Sequence, residues 1–327
     1  MRRQDGGVGV PDGEPIVYLI ICLNSSVMCK RVLCVVILTI ASIASAFSQT
    51  RTLEHEYGEF EKLDVSGGFH VNLVQDRSYS TRLVVDDILE PYVECYVKSK
   101  TLYITLDEKA IPKDIKKSYK GKNSADPVLK VTVYVPGLNS IKLSSNSTLA
   151  SEFAMESDSF ELTMGDNSVL NNLEVQAKGT VKIESAKKAN IGSVTVKAKK
   201  FEIVASGNSV VTGQIDVDRL SLSNSGSAEV SLTGKVKEAE IESSNSSKTL
   251  LTGSGSVLNI SGKGSSAEVD ASGFAVESSA IDVAGVTAKV AASANLELNL
   301  DKNSEVTYSG NPKIGIVKIL NSSVLRK

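Results

Sequence analysis

Histidine is the side chain best suited to proton transfer near neutral pH, and this chain has two, His55 and His70. Neither lies in a motif that supplies a nucleophile. His70 sits in the alternating run Phe69-His70-Val71-Asn72-Leu73, where a polar strand position facing solvent is the plain reading. No Ser-His-Asp set can be assembled around either residue. The four cysteines (Cys22, Cys29, Cys34 and Cys95) and two histidines do not make a zinc-ligand pattern. The glycine-aspartate nonapeptide that binds calcium in β-rolls is absent. Polysaccharide cleavage on a stack of strands needs clustered carboxylates or basic groups. Here Asp166, Asp216, Asp218, Asp270, Asp282 and Asp301 do not share one position of the repeat described below. Asp216 and Asp218, two residues apart, read as a solvated pair, and Cys95 as a small hydrophobe on a helix face. Catalytic residues, metal ligands and cofactors are therefore not expected. One cationic cluster stands out, Lys109, Lys113, Lys116, Lys117, Lys120 and Lys122, in a polar stretch over 107–127 that reads as a surface insertion. It suits either solubility or the binding of an anionic polysaccharide or lipid headgroup, with Lys113, Lys116, Lys117, Lys120 and Lys122 as the patch.

Composition narrows the classes further. In 327 residues, hydrophobic side chains are 41% and charged ones 23%, with a net charge of −2. This is too apolar for a disordered chain and too acidic for an electrostatic nucleic-acid binder. Aromatic residues are only 5%, with no Trp.

The first 48 residues separate from the rest. Met28-Cys29-Lys30-Arg31 opens a basic start, Val32–Ala41 is apolar, and small residues lead to Ala44-Ser45-Ala46-Phe47-Ser48. That order is the one a secretory signal requires. Residues 28–48 read as a signal peptide cut after Ser48 or, second, Ala46, and residues 1–27 as a non-native extension. A transmembrane anchor is the competing reading, disfavoured by the short apolar core. Removal leaves Cys95 as the single cysteine, so stability rests on packing and hydrogen bonds rather than disulfides. The mature chain is expected to be exported, to the periplasm, the outer-membrane surface or the extracellular space, and not to be integral to a membrane.

From Gly137 to Asn311 there is no proline. Apolar and polar residues alternate, break at Ser, Gly and Asn, then alternate again. Aligned at the breaks, the segments beginning at Ile141, Phe160, Val181, Phe201, Leu220, Ala239, Leu258, Ile281 and Leu296 recur about every 19 residues. Short strands with tight turns at that period predict stacked coils, a β-solenoid, in which each coil buries its neighbour's apolar edge. Positions 0 and +2 of each segment are apolar (Phe160 and Leu162, Phe201 and Ile203, Leu220 and Leu222) and face inward. Position +8 is Ser in several copies, Ser168, Ser209, Ser247, Ser266 and Ser304. Coils about 4.8 Å apart would stack these into a hydrogen-bonded polar ladder, and nine coils would make a rod of roughly 40 Å. A narrow interior is expected to exclude large rings. A β-sandwich is the competing fold.

Before Gly137 the pattern differs. Phe60–Val65, Phe69–Val74, Thr81–Val85, Leu102–Leu106 and Val128–Val135 read as strands. Asp86-Asp87 is placed to cap a short helix with Ile88, Leu89, Tyr92, Val93, Tyr96 and Val97 on one face. Solenoid ends expose unpaired strand edges, so residues 53–136 are assigned to an N-terminal cap with the first coils, 137–311 to the repeats, and 312–327 to a C-terminal coil or cap.

The opening Phe60-Glu61-Lys62-Leu63-Asp64-Val65-Ser66-Gly67, with Thr101-Leu102-Tyr103-Ile104, Val131–Leu138 and the exit Val306-Thr307-Tyr308-Ser309-Gly310-Asn311-Pro312, resembles the auto-transporter adhesin, head GIN domain family. The resemblance runs from about Tyr57 to Val324. It implies an all-β, single-stranded, right-handed parallel β-helix of about nine or more coils, exported by Bacteroidetes-type bacteria. It implies no catalytic residues. The C-terminal segment lacks the amphipathic spans of a membrane β-barrel. The function expected is non-enzymatic adhesion or envelope binding, with a glycan or cell-envelope component as partner and no nucleic acid. A solenoid-type carbohydrate-active enzyme and a self-assembling envelope scaffold are the alternatives.

Overall fold

A computed structural model describes residues 50–120 and 124–327. The extension with Cys22, the signal segment with Cys29 and Cys34, and Lys122, lie outside the described residues. Gln49–Lys327 make one unit, a parallel β-solenoid of about 9 turns.

Each coil follows from one stretch of alternation. Strand β10 (Phe160–Met164) buries Phe160, Leu162 and Met164 and turns Glu161 and Thr163 outward. A four-residue corner leads into β11 (Val169–Ala177), which buries Leu170, Leu173 and Val175. A second turn at Lys178-Gly179 begins β12 (Thr180–Ser185), which lies parallel on β10 with Phe160 opposite Val181 and Leu162 opposite Ile183. The same pairing passes through β13 (Asn190–Ala205), β14 (Val210–Asn224), β15 (Glu229–Ser244) and the long β16 (Lys248–Asp301). In these later coils the extended backbone runs through the second turn without a break. Sequence position thus becomes a spatial column: Leu162, Ile183, Ile203, Leu222, Ile241 and Ile260 stack at the centre of the rod, each at most 2% exposed. Burying each such side chain stabilises the stack by about 1.5–3 kcal/mol.

The corners explain the Ser, Gly and Asn breaks. Asn146, Asn167, Asn245 and Asn303 all have φ near +60°, a left-handed conformation that Asn tolerates better than most residues. Stacked corners bond to one another through the backbone, as from the Asn146 amide to the Asp166 carbonyl at 2.9 Å.

Large rings do fit inside, contrary to expectation. Phe60, Phe69, Phe160, Phe201 and Phe274 are all buried. Room is made by small neighbours: a Cβ on Gly255 would lie 2.8 Å from Cζ of Phe274. Interior width is set pairwise between coils, not by a uniform bore.

The N-terminal end is layered out of chain order. The first coil, β2 (Lys62–Ser66) and β3 (His70–Gln75), is sandwiched. On one side lie β8 (Ser140–Leu143) and β9 (Thr148–Ser157), which continue toward β10 and β11. On the other lie β6 (Thr101–Leu106) and β7 (Leu129–Val135), both still parallel. Beyond them the direction reverses: β4 (Ser80–Asp86) is antiparallel to β7, β1 (Thr50–Glu56) to β4, and β5 (Val93–Lys98) to β6.

The helix expected after Asp86-Asp87 is not formed. Glu90–Tyr92 is a single 3-10 turn, and Val93–Lys98 is strand β5. Its residues satisfy both periods, but β6 offers an unpaired edge, and a hairpin closes through Ser99 and Lys100 with φ of 50° and 58°. Those are the two positive values a tight hairpin turn needs, supplied without the usual Asn-Gly. Cys95 is therefore a strand residue. The one α-helix among the described residues, α1 (Lys113–Ser118), lies in the polar insertion.

Candidate functional site

The groups with the strongest chemistry are scattered. On β3, exposed His70 shares a hydrogen bond between Nδ1 and Thr148 Oγ1 at 2.8 Å. His55 lies on β1 beside Tyr57, with ring centroids 6.2 Å apart. Cys95 accepts a hydrogen bond from the Tyr57 hydroxyl at 3.0 Å. Burial pushes its thiol up, against the opposing pull of the Tyr57 and Thr81 hydroxyls. Carboxylates engage cations or amides, mostly on neighbouring coils. Asp166 takes Lys187, Asp218 takes Lys237 at 2.6 Å, Asp282 accepts from Asn299 at 2.8 Å, and Asp301 accepts from Asn321. The Lys237 ammonium holds the Asp218 carboxyl below its ordinary value. Asp216 and Asp218 are not a working pair: Asp218 is committed to Lys237, and Asp216 stands in a column between Lys197 and Lys235. Among the described residues, no group of three His, Cys, Asp or Glu could hold a metal ion.

The serines of position +8 are inside the rod. Ser168, Ser209, Ser247 and Ser304 are at most 1% exposed. Ser168, Ser209 and Ser247 occupy one corner column with Ser147, Ala189, Ala228 and Ala267, where the chain reverses and the side chains are small; farther along, Ser304 lies beside Val286. Ser266 is exposed, and Ala267 takes the interior place. The hydroxyls do not bond serine to serine along the column. Ser209 Oγ donates to the Ser185 carbonyl at 3.3 Å and Ser247 Oγ reaches the Asn224 carbonyl at 3.1 Å. Ser304 Oγ reaches the Asp301 carbonyl at 2.6 Å. Ser247 also meets Ser243 Oγ at 2.8 Å, and buried Asn224 donates to Thr249 Oγ1 at 3.0 Å. Ser209, Ser247 and Ser304, whose Oγ also reaches the Val283 carbonyl at 3.2 Å, thus tie their corners to the previous coil.

Of the lysine patch, Lys113, Lys116 and Lys117 lie on α1 and Lys120 just beyond it. Lys117 approaches Asp114 at 3.9 Å across open solvent. The segment is moored by the Tyr119 hydroxyl, which donates to Asp86 Oδ2 at 2.9 Å. Burial, then that carboxylate, push the Tyr119 phenol well above its usual range.

The feature not anticipated from sequence is an outward face. After the bend in β11, alternate residues point to solvent in two adjacent columns. One is Glu174, Thr195, Gln214, Thr233 and Thr252; the other is Gln176, Lys197, Asp216, Lys235 and Ser254. Of these, Glu174, Gln176, Thr195, Lys197, Gln214, Asp216 and Thr233 line a shallow groove of about 320 Å³. A second depression of about 620 Å³, lined by Glu156, Asp158, Lys178 and Lys197 among others, shares Gln176 and Lys197 with it. Thr233 Oγ1 and Thr252 Oγ1 are 2.7 Å apart. Charges alternate along the second column, while amides and hydroxyls dominate the first. This is donor-and-acceptor chemistry without a net field. The signal lay at positions +14 and +16 after Phe160 and Val181 but at +13 and +15 after Phe201, Leu220 and Ala239. It was hidden by that change of phase, which follows the irregularities near Asn172 and between Ile191 and Val194.

The family model described as "Putative auto-transporter adhesin, head GIN domain" matches residues 59–312. Among curated proteins none matches the chain. Solved structures with similar backbones include a "putative lipid binding protein" from Parabacteroides distasonis, at 20% identity, covering 85% of this chain and 96% of that one with a TM-score of 0.47. A "putative adhesin" from the same species follows at 18% identity, with coverages of 86% and 98% and a TM-score of 0.48. Another, from Parabacteroides merdae, is 17% identical, with coverages of 85% and 95% and a TM-score of 0.39. Because the family model spans most of the sequence, from the first coil to the last repeats, the chain belongs to the auto-transporter adhesin, head GIN domain family.

Proposed function

We propose that this chain is an exported, non-enzymatic adhesin-like module that binds a neutral or zwitterionic glycan, or another polyhydroxylated component of the cell envelope, along its outward polar columns. Export is carried by the signal at residues 28–48. The observation that carries the binding reading is the register of Thr195, Gln214, Thr233 and Thr252 on successive coils about 4.8 Å apart, the first three lining a shallow groove. A rigid row of amides and hydroxyls meets the hydroxyls of an extended saccharide without moving. Balanced charge beside it, at Lys197, Asp216 and Lys235, excludes neither sign of ligand. Among the described residues no helix is long and apolar enough to cross a membrane.

The test is a glycan array probed with the full chain, followed by titration of the best ligand against Gln214→Ala and Thr195→Ala. These side chains are exposed, so both variants should keep the parent fold. Binding at least tenfold weaker in each supports the reading. Unchanged affinity in both, or no binding to any glycan or envelope fraction, refutes it.

A further inference from the structure

We infer that the open C-terminal end of the solenoid docks onto the N-terminal end of a second copy, so that the protein assembles head to tail into open-ended rods. The inference does not depend on the glycan reading above. It starts from the last coil. Strand β18 (Lys313–Ile319) lies parallel on β16, placing Ile314 over Leu296 and Ile316 over Leu298. Leu296 and Leu298 are sealed, but their covers are not. Ile314 is 36% exposed, Ile316 59%, Val317 66%, Leu320 44% and Val324 41%. Half of the exposed large hydrophobics in the described residues thus fall on this one coil. Among the described residues β18 pairs only with β16, and β19 (Val324–Arg326) only with β17 (Glu305–Ser309). Each leaves one row of backbone N–H and C=O groups without a strand partner. An apolar cross-section rimmed by unpaired edges is the template on which another strand layer adds.

Charge selects the occupant. From Val306 to Lys327 there is no acidic residue, while Lys313, Lys318, Arg326 and Lys327 are basic, Arg326 being paired with Glu305 at 3.0 Å. Joining two such ends across a twofold axis would set like charges together. A bilayer would cover the apolar side chains but leave the strand edges without hydrogen-bond partners. The opposite pole of the same rod offers both an edge and the complementary sign. Among the described residues β5 pairs only with β6, and β1 only with β4. Val93, Cys95, Val97 and Leu53 are half-buried there, continuing the core columns of Leu102, Ile104 and Leu83. Around them stand Glu54, which lies 3.6 Å from Arg82, Glu56 and Glu94, with Lys98 the one cation on β5. Arg51 is already engaged by Asp87 at 2.5 Å and Glu90 at 2.8 Å. Strand directions fit as well. β5 runs against the stack and would meet β18 as an antiparallel partner. β1, two reversals from β7, runs with the stack and would meet β19 in parallel. Different surfaces meet in this joint, so it does not close on itself and leads to a filament.

The experiment is sedimentation velocity of the full chain over a wide concentration range, at low and high salt. The expected result is a mass that rises continuously with concentration, with no plateau at the dimer, and falls as salt screens the joint. Two variants give the decisive arm. Ile316→Asp with Val317→Asp blocks the tail, and Glu56→Lys with Glu94→Lys blocks the head. Each alone should associate at least tenfold more weakly than the parent. Mixed in equal amounts, they should form a dimer that stops growing, because one supplies a sound head and the other a sound tail. Lys313→Glu with Lys318→Glu, added to the head-blocked chain, should restore growth. This rescue shows that the substituted surfaces fold. A head-blocked chain that still dimerises would replace the joint with a tail-to-tail one. A parent that stays monomeric at every concentration would overturn the proposal, as would one that binds anionic vesicles through Ile316 and Val317 without self-associating.

Discussion

Replacing Gly253 by Ala tests how closely the coils stack. Gly253 lies directly over Gly234 in the adjacent coil, and the two have φ of 123° and 153°. A Cβ on Gly253 would sit 1.9 Å from the Gly234 carbonyl oxygen, where real Cβ contacts stay beyond 3.0 Å. The coils must therefore part locally by about an ångström. Holding a non-glycine residue at such a φ costs about 1–3 kcal/mol. Opening the ladder there forfeits one or two hydrogen bonds, each worth about 1 kcal/mol. The expected loss is about 3–5 kcal/mol in the coils that contain the substitution. A solenoid's stability is approximately a sum of coil and nearest-neighbour terms, so the damage should stay local at first. Hydrogen exchange followed by mass spectrometry should show protection lost around residues 229–276 while Leu162, Ile183 and their neighbours remain protected. Urea unfolding should show an earlier transition than the parent. The control is Gly165→Ala. Gly165 has ordinary φ, and nothing lies within 4 Å of the place its added methyl would take, so this change should be neutral or stabilising by about 0.4–1 kcal/mol. A Gly253→Ala chain within about 0.5 kcal/mol of the parent would refute the close stacking from which the rest follows.

Other outcomes follow from the same geometry. Ser168→Ala should be neutral or stabilising in urea, because its buried hydroxyl has no partner. Ser247→Ala should lose about 1 kcal/mol by stranding Ser243 and the Asn224 carbonyl. Phe201→Ala, at the rod centre, should lose about 3–5 kcal/mol. Alkylation of native Cys95 should be slower than that of a free thiol, and slower still in Tyr57→Phe, because the Tyr57 hydroxyl favours the thiolate. Burial raises the Asp270 carboxyl, but the Ser272 hydroxyl and amide and the Lys289 ammonium outweigh it and hold the group below its ordinary value. Its folded pKa is depressed, so its contribution is present above the unfolded value, about 3.9, and is lost as pH falls through the folded one. Asp270→Asn should accordingly flatten the acid limb of stability, measured as urea midpoint against pH.

How far the sequence determines the fold varies along the chain for physical reasons. Between Ile141 and Leu300 each coil is built by local alternation, so Phe160-Glu161-Leu162 already states which way each side chain points. The N-terminal layer is decided by non-local pairing instead. Val93–Val97 satisfies a helical and a strand period equally, and the free edge of β6 selects strand. No reading of residues 86–97 alone contains that edge. The outward columns were obscured for a related reason. The irregularity near Asn172 and its counterpart between Ile191 and Val194 shift the phase in those coils but not in the later ones, so a pattern counted from Phe160 loses its inward-outward sense before Glu174.

The corner shows how register is fixed once alternation has set it. Counting along the repeat puts Ser266 at position +8, but the following Val269 must point inward above Thr249, and this places Ala267 inside and Ser266 in solvent. A slip of one residue would reverse every side chain downstream. From Ser147 to Ala267 the corner holds only small residues, while the hydroxyls of Ser209 and Ser247 add coil-to-coil bonds that an out-of-register corner could not make. With the interior constrained at every step, outward positions such as 195, 214 and 233 can vary without affecting the stack. Ligand preference is then set on that face. A substitution there should change what the rod binds and leave its unfolding unchanged, whereas one at Ser247 or Phe201 should do the reverse.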